Sequence, residues 1–475
     1  MISRPFCSLM LLLAMAFPQS QAELRIACVG ADLTHGTGLA RSGRASYPER
    51  LQVLLGSGYR VKEFGAPGAT ALTRGDTPYV RQREFRESSA FRPDIVIVEL
   101  GRNDAKRRNQ SVAEEFERDY RTLVDSYRAL PSRPRVILLL PPPVFSTSAG
   151  IADSVIRQRI LPAIRSTAYA TGSEVINLYN LLADRPDWFS SRGHPSDSAA
   201  ARIAERIAEH LTMKEEPRFD ITASAQLEGS PSGYHGFECI TFRFEEREAR
   251  VVKPKRVAAG RPWLWRARFW GHEPQTEIAL LERGFHVVYC DVAELFGNNE
   301  ALGIWDRFYR WLTGAGLSVR AAHEGFSRGG VYIYRWAALY PERVSCVYAD
   351  APVLDLKSWP GGKGRGHGNP EEWDRFKRNF GLQSENEALA FSGNPVDLAP
   401  RIARGGFPML HVCGTADSTV PIEENTDLFE RTILEHNGRI TVIRKPGVGH
   451  HPHSLTNPQP IVDFILRATA ERESR

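Results

Sequence analysis

The chain has 475 residues, too many for one ordinary domain, so two are expected. Its formal net charge is only +5, spread along the chain, which argues against a nucleic-acid-binding surface. The cluster Lys106-Arg107-Arg108 reads as a solvated helix edge, and neither an internal repeat nor a low-complexity tract is present.

At the N-terminus, Arg4, an apolar stretch over 9–17 and Ser20-Gln21-Ala22 predict a secretory signal peptide over residues 1–22, cleaved after Ala22. That stretch is too short to span a bilayer, and no later segment approaches the ~20 apolar residues a transmembrane helix needs. The mature chain is therefore expected to be secreted or periplasmic, without a transmembrane anchor. Cys7 precedes the apolar stretch, so a lipoprotein cleavage site is not supported. Of the six cysteines, Cys28, Cys290, Cys346 and Cys413 lie in apolar strand-like runs. They read as small buried hydrophobes, and neither a disulfide framework nor a cysteine nucleophile is expected.

The first domain, residues 23–213, carries four blocks in order. A strand over 24–29 runs into Gly30-Ala31-Asp32-Leu33-Thr34-His35-Gly36; then come Gly65-Ala66-Pro67-Gly68, the strand 95–100 leading to Gly101-Arg102-Asn103-Asp104, and finally Gly193-His194-Pro195. In spacing and context these resemble the SGNH (GDSL-type) hydrolases, a flavodoxin-like α/β/α family, over roughly 23–211. The resemblance implies that Gly68, Asn103 and His194 match the family's oxyanion-hole glycine, its asparagine and its histidine. Asp32, however, stands at or beside the place of the nucleophilic serine, and Ser191 stands where the partner aspartate belongs. A carboxylate can attack as a nucleophile, but without the partner acid the expectation is a degenerate module. It would keep the cleft and either bind glycans or buttress the second domain. The charged, proline-ended Met213-Lys214-Glu215-Glu216-Pro217, after a helix over 198–211, marks the boundary to a second domain of residues 214–475.

In that second domain, apolar runs near 262–270, 286–290, 317–322, 344–348, 409–413 and 440–443 alternate with helical stretches, which predicts a parallel α/β sheet. The antiparallel-looking 238–252 is read as its opening strands. A helix over 299–313 turns Ile304, Trp305, Phe308, Tyr309 and Trp311 inward as core, not as a sugar platform. The decisive motif is Gly325-Phe326-Ser327-Arg328-Gly329-Gly330, between a strand and a helix-like run. Small flanking residues permit the sharp turn that exposes a serine hydroxyl above a sheet.

A serine hydroxyl is a poor nucleophile until a neutral imidazole takes its proton and a carboxylate holds that imidazole in the right tautomer. Asp417, just past the strand 408–413, and His450, after 440–443, supply both types. Asp350 is the rival acid, and His451 and His453 are rival bases. No metal or cofactor is called for.

The chain order Ser, Asp, His is that of the α/β-hydrolases. This resemblance implies an oxyanion hole from the backbone N–H of Arg328 and a second donor from the loop after 262–268. Arg266, Arg268 and Arg328 crowd that region, each with a salt bridge to Asp291 or Glu324 as its alternative. Two of them facing the pocket would favour a carboxylate-bearing substrate such as a uronic acid. Together with the Gly-His-His-Pro-His of 449–453, the two-domain arrangement resembles exported bacterial carbohydrate esterases, including α/β-hydrolase pectin methylesterases. The expected function is a serine esterase that removes methyl or acetyl groups from a polysaccharide or oligosaccharide. The alternatives are a secreted peptidase of prolyl-oligopeptidase type and a non-enzymatic glycan-binding protein.

Overall fold

The computed structural model describes residues 23–39, 46–146, 150–190 and 193–473. The expected signal peptide over 1–22 and Ser191 lie outside the described residues. The first α/β unit is built on strands β1 (Leu24–Gly30), β2 (Tyr59–Gly65), β3 (Ile95–Glu99), β4 (Arg135–Leu140) and β5 (Glu174–Asn177), in the order β2-β1-β3-β4-β5. Every neighbouring pair is parallel. The central strands of a parallel sheet are covered on both faces, so they are largely apolar runs whose alternate residues enter different cores, whereas the edge strand β2 carries Arg60, Lys62 and Glu63. Ala27, Val29, Val96 and Val98 pack on one face with Phe116, Tyr120 and Ile164 from the helices Phe116–Arg128 and Leu161–Thr171. Ile26, Cys28, Ile95 and Ile97 pack on the other with Leu51, Ile203 and Ile207 from Tyr47–Leu55 and Asp197–Thr212.

The second unit is a nine-stranded mixed sheet. Its strands are β6 (Ser230–Tyr234), β7 (Phe237–Phe244), β8 (Arg247–Lys253), β9 (Trp263–Arg266), β10 (His286–Cys290), β11 (Ala321–Phe326), β12 (Val344–Asp350), β13 (Pro408–Gly414) and β14 (Arg439–Lys445). The order is β14-β13-β12-β11-β9-β10-β8-β7-β6. Strands β6 to β8 form an antiparallel meander joined antiparallel to β10, and β9 to β14 run parallel. The segment read as opening strands thus belongs to this sheet. The architecture is a parallel α/β domain followed by an α/β-hydrolase-like sheet.

One strand was displaced relative to its sequence signal. The apolar run suggested 317–322, whereas β11 spans Ala321–Phe326 and contains His323 and Glu324. Both side chains are fully buried, His323 stacked on Trp265 and Glu324 beside Arg266, so tertiary partners make a polar segment strand-compatible. The helix over Asn299–Gly314 starts where the Asn298 side chain accepts the Ala301 N–H at 3.0 Å. It buries Ile304, Trp305, Phe308 and Tyr309, with Trp311 partly covered by Phe242 and Phe244. The described cysteines are buried free thiols.

The two units meet along an ionic seam. Arg206 and Glu282, each almost wholly buried, pair at 3.1 Å, and the Asn177 N–H donates to Glu282 at 2.9 Å. Arg283 pairs with Glu209 at 2.7 Å, and His210 bonds both Glu174 at 2.7 Å and the Glu282 carbonyl at 3.1 Å. Among the described residues no helix is long and apolar enough to cross a membrane.

Candidate active site

Strand β11 ends at Phe326, Ser327 takes φ 48°, and the helix Gly329–Leu339 follows at once. A left-handed serine is strained, and the surrounding contacts impose it. A Cβ on Gly325 would lie 2.6 Å from Ile333 Cδ1 and 2.8 Å from the Gly329 carbonyl oxygen; one on Gly330 would lie 2.6 Å from Pro352 Cβ. Only glycine allows the strand and helix to approach this closely. The serine hydroxyl is thereby set at the carboxyl end of the parallel strands, where α/β sheets form their clefts.

The structure brings the three predicted residues together. His450 Nε2 lies 3.0 Å from Ser327 Oγ, and His450 Nδ1 lies 2.7 Å from Asp417 Oδ2. The other Asp417 oxygen accepts the Thr419 and Val420 N–H groups at 2.9 and 2.8 Å, which fixes the carboxylate after β13. With the proton held on Nδ1 by Asp417, the Nε2 lone pair faces the serine, as a general base requires.

The rival residues are engaged elsewhere. Asp350 accepts from His453 Nδ1 at 2.8 Å, from the Ser454 N–H at 2.8 Å and from the Tyr348 hydroxyl at 2.9 Å, and makes no bond to His450. His453 is buried and His451 exposed. His272, on the loop after β9, completes a cluster with them that the sequence did not flag. Burial first, and then the proximity of His453, hold both His272 and His451 below the usual imidazole range.

Two of the three arginines expected to bind substrate, Arg266 and Arg328, are buried and paired within the protein. Arg266 is 0% exposed and each of its nitrogens donates inside the protein: Nε to the Arg268 carbonyl at 2.6 Å, Nη1 to Glu277 at 3.1 Å, and Nη2 to the Phe269 and His272 carbonyls, both at 2.9 Å, with Glu324 an ion-pair neighbour of Nη1 at 3.3 Å. Burial pushes Glu324 well above the usual carboxylate range, Arg266 opposing and Glu277 adding to the rise. Arg328 is 2% exposed, paired with Glu372 and lying 4.4 Å over the Phe296 ring. Arg268 is half-buried and donates to the Ala293 carbonyl at 2.8 Å. The salt-bridge alternative thus holds for Arg266 with Glu324, and Glu277 joins it.

The oxyanion region has a defined geometry. Arg328 is the N-cap of the elbow helix, so its N–H is among the amides that a helix leaves unpaired. Across from it, a Cβ on Gly329 would stand 3.7 Å from Ala267 Cβ and 3.9 Å from Arg268 Cβ. The Ala267 N–H donates to the Glu324 carbonyl at 2.9 Å. The amide of Arg268, held in place by Arg266 through its carbonyl, is the next donor along the loop.

In the first unit Asp32, Gly68 and Asn103 also meet. Asp32 Oδ2 accepts the Gly68 N–H at 3.1 Å and Asn103 Nδ2 at 2.8 Å, so a carboxylate oxygen sits on the two groups that the SGNH resemblance assigns to an oxyanion hole. Lys106, read as a solvated helix edge, instead reaches the Gly68 carbonyl and Asp76, both at 3.2 Å. His194 packs against Gly38, and its Nδ1 is buried without a hydrogen-bond partner among the described residues. Beneath the cleft, burial pushes Glu99 up to about 8, with Arg102 opposing and Asp32 adding to the rise.

Residues 28–202 match the GDSL-like Lipase/Acylhydrolase family. The chain is also 34% identical over 203 residues to an acetylxylan esterase of Xylanibacter ruminicola, an alignment covering 39% of this chain and 42% of that protein. The chain thus spans less than half the length of this curated relative. Among solved structures, a putative arylesterase from Agrobacterium tumefaciens is 22% identical, with 40% of this chain and 98% of that one covered and a TM-score of 0.34. A puromycin-hydrolysing peptidase of Mycobacterium tuberculosis is 14% identical, with 48% and 38% covered and a TM-score of 0.37. Residues 28–202 are thus similar to the GDSL-like Lipase/Acylhydrolase family, and they precede the mixed nine-stranded sheet.

Proposed function

We propose that the protein is an exported serine esterase that removes acetyl groups from a polysaccharide, with the chemistry in the second domain, taken as residues 214–475. The observation that carries this reading is the hydrogen-bonded line from Ser327 Oγ through His450 to Asp417 on a strained elbow. Ser327 attacks the ester carbonyl as His450 Nε2 takes its proton, and Asp417 stabilises the imidazolium. The N–H groups of Arg328 and Arg268 receive the developing oxyanion. His450 then protonates the departing sugar oxygen, and water, activated by the same imidazole, releases acetate from the acyl-enzyme. The relative named above supports an acetylated glycan as substrate. The uronic-acid preference loses its basis, because Arg266 and Arg328 spend their charge inside the protein.

The first domain is proposed to be silent in hydrolysis, since Asp32 fills its donor pair. Acetate release from acetylated xylan and methanol release from methyl-esterified pectic oligomers, measured with wild type, Ser327→Ala and Asp32→Ala, test the reading. Ser327→Ala should lose on the order of 10⁶ in kcat with an unchanged melting temperature, and Asp32→Ala should keep its turnover. Survival of activity in Ser327→Ala and its loss in Asp32→Ala would move the chemistry to the first domain.

A further inference from the structure

His272, His451 and His453 place one ring nitrogen each within 4.8 Å of the others. They come from two loops at the carboxyl edge of the sheet, His272 after β9 and the other two after β14. Each loop is braced independently. Arg266 holds the His272 carbonyl at 2.9 Å, and Lys445 Nζ holds the Pro452 and Ser454 carbonyls at 2.6 and 3.2 Å. The rings face one another edge to face, with centroids 5.8 Å apart for His272 and His451, 5.7 Å for His272 and His453, and 4.7 Å for His451 and His453.

The innermost ring is prepared in a specific way. His453 is 4% exposed, and its Nδ1 proton is held by Asp350 at 2.8 Å, which leaves Nε2 with a free lone pair. A carboxylate behind an imidazole is the arrangement that fixes tautomer and raises basicity in histidine metal ligands. Asp350 is itself held by Ser454 N–H and the Tyr348 hydroxyl, so it cannot turn away. This also explains a buried aspartate that the triad does not use.

We propose that His272, His451 and His453 form a binding site for a divalent transition ion of the imidazole-preferring class, represented by Zn²⁺, with one coordination position open. A tetrahedral zinc held at 2.0–2.1 Å needs ligand nitrogens about 3.3 Å apart. The present spacing requires small side-chain rotations, which the exposed His272 and His451 are free to make. Three neutral imidazoles without a thiolate or carboxylate ligand select zinc, copper, nickel or cobalt over magnesium or calcium. The site adjoins the catalytic base: the His450 ring lies 5.0 Å from His451 and 4.9 Å from His453. A bound dication there opposes the imidazolium that His450 must become during acyl transfer, so occupancy slows the esterase.

Zinc titration calorimetry on the full chain, with cobalt as a spectroscopic probe, reads binding without reference to turnover. One equivalent should bind, with the intense visible bands of four-coordinate cobalt. Affinity should fall at least tenfold in His272→Ala and in His451→Ala, and about 10–100-fold in Asp350→Asn if it folds. His450→Ala should still bind, which separates this site from the triad. Zinc should inhibit acetate release by wild type reversibly on chelation, and His451→Ala should resist it. Absence of a one-equivalent site in folded wild type, unchanged affinity in both alanine variants, or zinc lost with His450 and kept without His451 would each overturn the proposal. Failure of the esterase reading itself would leave the calorimetric result intact.

Discussion

Arg266 shows how one residue can look like a substrate contact and be the brace of a loop. Its guanidinium spans three carbonyls of 268–272 and two buried carboxylates, so it fixes the backbone that presents the Arg268 amide and the His272 ring. Arg266→Lys keeps the charge and loses the planar fork. It should lower stability by about 1–3 kcal/mol through unpaired buried acceptors, and lower kcat roughly 10–100-fold because the oxyanion donor drifts. Thermal melts and kinetics on one preparation check both, and a lower melting temperature with unchanged kcat would limit Arg266 to stability. Asp32 offers the opposite case. Asp32→Ala should leave hydrolysis of a small ester unchanged yet cost about 1–3 kcal/mol, because the Gly68 N–H and Asn103 amide lose their acceptor.

At the scale of elements, the elbow depends on how closely β11 meets its following helix. Gly325→Ala puts a methyl against Ile333 Cδ1, which can yield, and against the Gly329 carbonyl, which cannot without moving the elbow. The expected result is about 1–3 kcal/mol of destabilisation, together with slower turnover at unaltered substrate affinity. Wild-type kcat in this variant would show that the turn tolerates more than its contacts imply. The elbow's position was legible in the sequence because small residues cluster around one serine. The start of β11 was not, since His323 and Glu324 belong in a strand only once Trp265 and Arg266 cover them.

For the whole molecule, the seam of Arg206, Glu282, Arg283 and Glu209 predicts that the two units unfold together. Glu282→Ala strands buried guanidinium charge and should cost about 3–5 kcal/mol. Calorimetry should show a single transition in wild type and a lower one in the variant; two separate wild-type transitions would mean that the seam does not couple the units. Within this seam, burial would raise Glu174, but His210 and Arg135 outweigh it and bring it down to about 2. A carboxyl lowered from its unfolded value of 4.5 stabilises the fold above that pH and loses the contribution as pH falls from 4.5 toward 2. The amount is about 3 kcal/mol. Denaturant midpoints between pH 7 and pH 2 should therefore fall less steeply for Glu174→Gln than for wild type.

Local chemistry was readable from the sequence: the serine between glycines, an acid and a histidine each just past an apolar run, and a first α/β unit with altered working positions. These signals are short-range, because a turn, a strand end and a motif each lie within a few consecutive residues. Pairings between distant segments were decided by the tertiary structure alone. Asp350 and Asp417 both follow apolar strands, and only the packing of the loop after β14 gives His453 to one and His450 to the other. Arg266 and Arg328 read as available charge until burial against Glu277, Glu324 and Glu372 removes them from solvent. A side chain's type is written in the sequence, but its partner is set by whichever group the fold brings within about 3 Å.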